Sequence, residues 1–227
     1  MRRCLCILGV VALLVAAAQA EPYWIAYEGD DYPENCGWNR AYGDGVHVPP
    51  QDEPDRWLDD GVLWVDTSRN PLLWEYYEID RQINPGSGEL FVAEWRVMLD
   101  LHSGLFDGTV VIARDGVPGD VAMTLLNGYL LLKNEDVLIP ITPGQFHEYR
   151  FQSWDMEGYE LYIDGQLSYV GQFWTVTPLD SFVAWGAGVQ GASSTSGWDY
   201  FRFGVIPEPS SFVLVLGALV CHGGRQR

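Results

Sequence analysis

The segment from Leu90 to Leu99 alternates between apolar and polar side chains with a period of two residues. Its odd-numbered side chains are all apolar and share one face of an extended chain: Phe91, Ala93, Trp95, Val97 and Leu99. Glu94 and Arg96 lie on the opposite face. This pattern is typical of an antiparallel strand that buries one of its faces. We therefore expect a strand with Trp95 and Val97 buried and with Glu94 and Arg96 exposed.

Two tight hairpins are predicted further along the chain. Asn127-Gly128 and Asp164-Gly165 each separate two mostly apolar runs. These dipeptides readily adopt the positive φ angles that a type I′ turn requires, and such a turn joins neighbouring antiparallel strands. Both runs that flank each turn are therefore predicted to be paired strands.

The rest of the chain between residues 21 and 204 also favours short strands. Proline and glycine recur throughout it, and a helical period of 3.6 residues is not evident there. We expect a Gly/Ser loop at residues 186–197, followed by a last strand from Trp198 to Phe203. Many short strands in one domain indicate a two-sheet antiparallel sandwich.

Three segments resemble a known fold. Phe146–Gln152, followed by Tyr159–Leu167, resembles the strand pair of concanavalin A-like jelly rolls of the laminin G, pentraxin and glucanase types. Ser196–Gly204 resembles the closing strand of such domains. The resemblance implies an all-β jelly-roll sandwich of two antiparallel sheets. Lectins, glycosidases and adhesion modules all have this fold, so the fold alone does not indicate which of these functions the chain has.

The amino end has the three parts of a secretory signal peptide. Arg2 and Arg3 precede an apolar run from Leu5 to Ala18, and Ala18-Gln19-Ala20 forms an A-x-A cleavage site. Residues 1–20 are therefore predicted to be removed. The domain is expected to start at residue 21, in a protein exported through the inner membrane.

The carboxyl end also has three parts in a fixed order. A block of Pro207, Glu208, Pro209 and Ser210 precedes an apolar run from Phe212 to Cys221, and the chain ends in basic residues. Residues 205–227 resemble a PEP-CTERM sorting signal. The resemblance implies an exosortase-type partner, transient membrane association through the tail, and delivery to the cell envelope, surface or extracellular matrix. The alternative is a short hydrophobic tail that packs on the domain, because the apolar run is shorter than the roughly 20 residues of a spanning helix.

The chain is strongly acidic, with 13 basic and 31 acidic residues and a net charge of −18. The negative electrostatic field of such a chain repels nucleic acids and anionic membrane surfaces, so neither is an expected partner. Cys36 is the only thiol predicted between the signal peptide and the tail. An internal disulfide is therefore not expected.

One stretch bears on catalysis. Residues 75–80 resemble the E-x-D-x-(x)-E strand of glucanases, with Glu78 and Asp80 in its first two places. A retaining glycosidase needs a second carboxyl group about 5–5.5 Å from the first. The third place falls on Gln82 or Ile83, which are not acidic, and Glu75 faces the opposite side of the strand. We expect no catalytic residue and no enzyme activity, and a divergent or degenerate glycosidase is the alternative.

Carbohydrate binding is a more specific hypothesis than a purely structural role. Trp154, Tyr162 and Trp174 are predicted near strand ends or outer faces, where sugars stack on aromatic rings. The alternative is that these rings fill the core of the sandwich. The sequence thus predicts an exported, non-catalytic module that is structural or carbohydrate-binding.

Metal binding has less support in the sequence. The histidines have no metal-ligand spacing, and His147 is expected to be a satisfied core or interface residue. We therefore predict no metal site and no cofactor. Calcium is the alternative ligand, held by Asp59, Asp60, Asp155 or Glu157. Asp-Gly turns explain most of these positions equally well.

Overall fold

The computed structural model describes residues 25–43, 54–69, 73–80, 83, 85–103, 109–114, 120–173, 181–187 and 193–207. The predicted signal peptide, Trp174 and residues 208–227 lie outside these ranges. The described part contains no helix that is both long and apolar enough to cross a membrane.

The described residues form fifteen strands and one short 3₁₀ helix, Pro33–Cys36. The strands are β1 (Ile25–Tyr27), β2 (Asn39–Gly43), β3 (Asp55–Asp59), β4 (Val62–Asp66), β5 (Trp74–Asp80), β6 (Glu89–Ser103), β7 (Thr109–Arg114), β8 (Asp120–Leu126), β9 (Tyr129–Leu132), β10 (Val137–Pro140), β11 (His147–Ser153), β12 (Gly158–Ile163), β13 (Gln166–Gln172), β14 (Phe182–Ala187) and β15 (Ser193–Pro207).

The strands form two antiparallel sheets. The front sheet has the order β13-β12-β11-β6-β15-β4-β3, and β1 also pairs with β15. The back sheet has the order β10-β9-β8-β7-β14-β5-β2. The predicted all-β sandwich of two antiparallel sheets is therefore confirmed.

The alternation in β6 points the odd-numbered side chains from Phe91 to Leu99 into the space between the sheets. Trp95 and Val97 are buried as predicted, and Trp95 stacks on Tyr149 of β11 with ring centroids 5.5 Å apart. Arg96 is partly exposed. The expectation that Glu94 is exposed is wrong, because its side chain is covered by arginines of the flanking strands and the residue is only 8% exposed.

A cluster of aromatic rings joins the two sheets in the core. Trp185 of β14 stacks on Phe201 of β15 with centroids 5.5 Å apart, and it also contacts Trp198, Tyr77 and Tyr27. Because β14 belongs to the back sheet and β15 to the front sheet, these contacts hold the two layers together. Large buried rings of this kind contribute much of a core's stabilisation.

Both predicted hairpins are present. Leu126 pairs with Tyr129 across the first turn, and Ile163 pairs with Gln166 across the second. The second turn has positive φ at both Asp164 (51°) and Gly165 (75°), as a type I′ turn requires. In the first turn positive φ is found at Gly128 (82°) but not at its neighbour.

The loop expected at residues 186–197 is only partly a loop. Residues 186–187 end β14, and Ser193 to Gly197 begin β15, in the middle of the front sheet. Ser194 N–H donates to Thr67 Oγ1 at 2.9 Å, and the Thr195 hydroxyl donates to Asp66 Oδ1 of β4 at 3.0 Å. Ser196 Oγ accepts from Trp198 Nε1 at 3.1 Å within β15, while the buried Ser194 hydroxyl has no hydrogen-bond partner among the described residues. Serine is common in loops because it bonds to nearby backbone, yet here bonds to the end of β4 hold this segment in the sheet.

Candidate functional site

The outer face of the front sheet carries two neighbouring depressions, which we call the groove. The larger one has a volume of about 410 Å³ and is lined by Glu94, Glu148, Arg150, Gln152, Tyr162 and Gly165. The smaller one has a volume of about 210 Å³, and its lining includes Gln152, Trp154, Asp155, Glu160 and Val170. Gln152 lines both depressions, so the two adjoin each other at this side chain.

The alternation of β11 and its register place these side chains. Glu148, Arg150 and Gln152 point outward, while Tyr149 and Phe151 between them are buried in the core. On one side, Arg150 and Gln152 pair with residues of β12, and on the other side Arg150 pairs with Glu94 of β6. Side chains on neighbouring strands of one face are close enough to interact directly.

Glu94 forms the floor of the larger depression. Its Oε1 lies 3.1 Å from Arg150 Nη1, and its Oε2 lies 3.3 Å from Arg202 Nη2. The carboxylate is therefore held between guanidinium groups from the two flanking strands. Both of its oxygens therefore have a cationic partner.

A hydrogen-bonded row continues from this floor to the other depression. Arg150 Nε donates to Gln152 Oε1 at 3.2 Å, and Gln152 Nε2 donates to Glu160 Oε2 at 2.7 Å. The Tyr162 hydroxyl donates to the same Glu160 oxygen at 2.7 Å. This bond, together with a smaller effect of burial, raises the pKa of Tyr162. The row fixes the orientation of the four side chains that form it.

Two of the three aromatic residues proposed for glycan binding lie in the groove. Trp154 is 46% exposed and lines the smaller depression, and the half-buried Tyr162 lines the larger one. Trp174 falls outside the described residues. The polar row between the two rings was missed by sequence reasoning, because it depends on which strands pair and in what register.

The carboxylates of the glucanase-like stretch lie on β5, in the back sheet and away from the groove. Glu78 and Asp80 are on the outer side of that sheet, and Glu75 points the other way into the interior. Ile83 is fully buried, while Gln82 is outside the described residues. Glu75 and Glu78 thus face opposite sides of the strand, as their odd spacing predicts.

Glu75 belongs to a buried ionic cluster. Its side chain is fully buried, Arg40 Nη2 lies 2.7 Å from its Oε2, and the Tyr77 hydroxyl donates to its Oε1. Burial, followed by the charge of Glu75, raises the pKa of Tyr77. The hydroxyl therefore stays protonated and serves as a donor inside the sandwich. The arrangement is that of a structural interaction rather than an accessible reactive site.

His147 has partners on both ring nitrogens, as expected of a satisfied residue. Nδ1 lies 2.7 Å from Asp164 Oδ2, and Nε2 lies 3.0 Å from the carbonyl oxygen of Thr142. Both partners are oxygen acceptors at these positions.

The carboxylates considered for calcium lie in turns. Asp155 Oδ1 accepts the backbone N–H groups of Glu157 at 2.9 Å and of Gly158 at 3.1 Å. These two bonds lower the pKa of Asp155. Asp60 has a φ of 51° in the β3–β4 turn, beside Gly61. In the part of the chain that the structure describes, no three His, Cys, Asp or Glu side chains converge where they could hold a metal ion.

No protein-family model matches the chain, and no curated protein matches it in sequence. Solved structures do match. A β-glucanase of Bacillus licheniformis has a TM-score of 0.51 at 12% identity, over 82% of this chain and 99% of that one. The chain has the same jelly-roll fold.

Two further solved structures share this jelly roll. An endo-1,3-β-glucanase of Streptomyces sioyaensis has a TM-score of 0.54 at 15% identity, over 82% of this chain and 96% of that one. A carbohydrate esterase of the Shiga toxin-encoding bacteriophage phi24B has a TM-score of 0.56 at 9% identity, over 82% of this chain and 98% of that one. At these identities the likeness concerns the fold, and function must be argued from the site.

Proposed function

We propose that this jelly roll is a non-catalytic carbohydrate-binding module and that its ligand lies in the groove. The observation that carries the proposal is the combination of two aromatic rings, Trp154 and Tyr162, with the hydrogen-bonded row from Gln152 to Glu160 between them. A sugar ring presents an apolar face that stacks on an aromatic ring and hydroxyl groups that bond to fixed polar side chains. The groove offers both kinds of contact on one open surface.

The non-catalytic part of the proposal rests on the carboxylates. Glycoside hydrolysis needs a carboxyl group that gives up and regains a proton near the scissile bond. Glu94 is held between two guanidinium groups, and Glu78 and Asp80 lie on the other sheet. The proposed role is therefore to hold a glycan rather than to cleave it.

A divergent glycosidase is the second candidate, and one observation favours it. Glu94 and Glu148 both line the larger depression, on the adjacent strands β6 and β11. In the register of this pair Glu148 lies opposite Arg96, so Glu94 is the diagonal neighbour of Glu148. The Cα atoms of diagonal neighbours in an antiparallel pair lie about 7–8 Å apart. Hydrolysis that disappears in Glu148→Gln would favour this candidate over a binding module.

A glycan array on the purified protein tests the binding proposal. We expect binding that Trp154→Ala weakens about fivefold or more, because stacking contributes roughly 1 kcal/mol for a well-placed ring. Trp57→Ala is the matched control: Trp57 is 41% exposed on the same sheet but does not line the groove. Equal loss in both variants, or no loss in Trp154→Ala, would contradict the proposed site.

We further propose that the carboxyl-terminal segment directs sorting by an exosortase-type enzyme, after export through the signal peptide. The support is the order of its three parts in the sequence. β15 ends at Pro207, so the Pro-Glu-Pro block begins at the last residue of the sheet. Replacing residues 207–209 by alanine is expected to leave the protein folded but retained at the inner membrane. Unchanged localisation in cell fractionation would contradict the sorting role.

A further inference from the structure

The groove has an unequal distribution of charge. Its described lining residues include four carboxylates, Glu94, Glu148, Asp155 and Glu160, and a single guanidinium group, that of Arg150. The chain as a whole carries a net charge of −18. A ligand that approaches this face therefore meets a negative potential, which attracts cations and repels anions.

The arginines of this face are already engaged with carboxylates. Arg150 and Arg202 both pair with Glu94, and Arg96 pairs with Asp199. An anionic sugar such as a uronate would have to replace one of these partners to gain a guanidinium contact. It would also have to approach Glu148 and Glu160, so binding of an anionic polysaccharide is disfavoured.

Two carboxylates of the groove, Glu148 and Glu160, have neutral partners. Glu148 is exposed on β11, lines the larger depression and is hydrogen-bonded to the Tyr200 side chain, and none of the described ion pairs joins it to an arginine. Glu160 is half-buried and accepts bonds from two neutral groups, Gln152 and Tyr162. A carboxylate whose partners are neutral has no cation beside it and is available to a cation of the ligand. Such groups flank the ring of Tyr162, where a sugar would stack.

We propose that the ligand of the groove is a polysaccharide with free amino groups, whose ammonium groups pair with Glu148 and Glu160. This inference rests on the proposed function, because it specifies the class of glycan that the same groove binds. The sugar rings stack on Trp154 and Tyr162, and the charge selects among glycans of similar shape. Because the groove is open to solvent, each ion pair is partly screened and the expected preference is modest, about tenfold.

Isothermal titration of the full chain with three oligosaccharides of equal length tests this inference. They are a glucosamine oligomer, an N-acetylglucosamine oligomer with the same rings and linkage but no charge, and a galacturonate oligomer. We expect the first to bind about tenfold more tightly than the second, and the third not to bind. The preference should shrink when the salt concentration is raised to about 0.5 M, because salt screens exposed charges.

Charge-removing variants locate the effect. Glu148→Gln keeps the shape of the side chain and its acceptor oxygen, so it should lose the preference for the amine while still binding the acetylated oligomer. Glu160→Gln should also lose the preference, and its affinity for the acetylated oligomer should fall as well, because Glu160 accepts from Gln152 and Tyr162 in the hydrogen-bonded row. Asp80→Asn, which removes a carboxylate from the exposed end of β5 in the back sheet, is the matched control and should keep the preference.

The outcomes separate this inference from the proposed function. Equal affinity for the charged and acetylated oligomers, or tightest binding of the galacturonate, overturns the amino-sugar inference and leaves a carbohydrate-binding groove in place. An unchanged preference in Glu148→Gln and Glu160→Gln overturns it as well. Failure of all three sugars, together with a glycan array that shows no binding, contradicts both the inference and the proposed function.

Discussion

Arg56 of β3 places its Nη1 3.9 Å from Oε1 of Glu75 on β5, an ion pair that links the front sheet to the back sheet. The same guanidinium group lies 2.6 Å from Glu34, and Arg40 of β2 binds the other oxygen of Glu75 at 2.7 Å. Glu75 is therefore a fully buried carboxylate with cationic partners from both sheets. These ion pairs link the two sheets at the side of the sandwich where β2 and β3 are the last strands of their sheets.

Replacing Glu75 by alanine should lower the free energy of unfolding by about 3–5 kcal/mol, because Arg40 and Arg56 would keep their charges in the interior without this partner. Glu78→Ala is the matched control, since Glu78 lies on the outer side of the same strand. Its effect should stay below about 1 kcal/mol. Urea unfolding of both variants makes the comparison, and similar losses would show that the cluster has no special role in stability.

Replacing Trp95 by alanine should cost about 3–5 kcal/mol of stability. Trp95 is 1% exposed and stacks on both Tyr149 and Phe201, so the change leaves a cavity in the middle of the core. Trp57→Ala removes the same atoms from an exposed site on the sheet surface and should cost much less. Thermal unfolding of the two variants checks this, and a small effect in Trp95→Ala would contradict the assigned core.

Replacing Gly186 by alanine should prevent folding. A Cβ atom at this position of β14 would lie 2.0 Å from the carbonyl oxygen of Glu75 and 2.8 Å from the Cα of Tyr76, so the backbones of two paired strands would have to separate. Gly158→Ala is the control, because the nearest atom to its added Cβ lies 3.6 Å away. The measurement is the yield of soluble, cooperatively unfolding protein, which should stay near the parent level in the control alone.

Stability should decrease as the pH falls below about 4, the ordinary pKa of an aspartate. Burial raises the pKa of Asp164, but hydrogen bonds from the Glu148 N–H group and from His147 outweigh it and lower the pKa overall. Backbone N–H groups lower the pKa of Asp155. A depressed folded-state pKa gives stability that is fully present above the unfolded pKa and lost as the pH falls through the folded one.

The double variant Asp155→Asn/Asp164→Asn removes these two titrations and should therefore show a weaker loss of stability between about pH 5 and pH 2. Asp59→Asn, at an exposed position of β3, is the control. Urea unfolding at a series of pH values measures the slope. A slope in the double variant as steep as in the parent protein would mean that other carboxylates carry the acid sensitivity.

The purified protein should show no turnover of β-glucans above background. Glu78 and Asp80 have no acidic partner at Ile83, and a general acid contributes roughly 10²–10⁴ to such a rate. Glu78→Gln should therefore change stability slightly at most and leave glycan affinity intact. A reducing-sugar assay on the parent protein and on this variant checks the expectation, and hydrolysis that vanishes in Glu78→Gln would overturn it.

The parts of the fold that sequence patterns predicted are those set by local rules. Alternation in β6 determines that the strand face with Trp95 and Val97 is buried. The two turn dipeptides determine which strands pair as hairpins. The burial of Glu94 depends instead on arginines about 56 and 108 residues away, which only the register of three strands brings together. The serine-rich start of β15 was misassigned for a related reason: its partners lie on β4 and β6, and nothing local indicates them.

The position of β15 also sets when this chain can fold. β15 is the last of the described strands, yet it lies in the middle of the front sheet between β6 and β4, and it also pairs with β1, the first of the described strands. A partly synthesised chain that lacks residues 193–207 leaves β6 and β4 without their shared neighbour, and the unpaired edge of the 15-residue β6 is then open to aggregation. Until that strand arrives, the front sheet exists only as two incomplete halves. The front sheet can therefore be completed only when residues 193–207 pair with strands at least 90 residues earlier, and such long-range pairing slows folding.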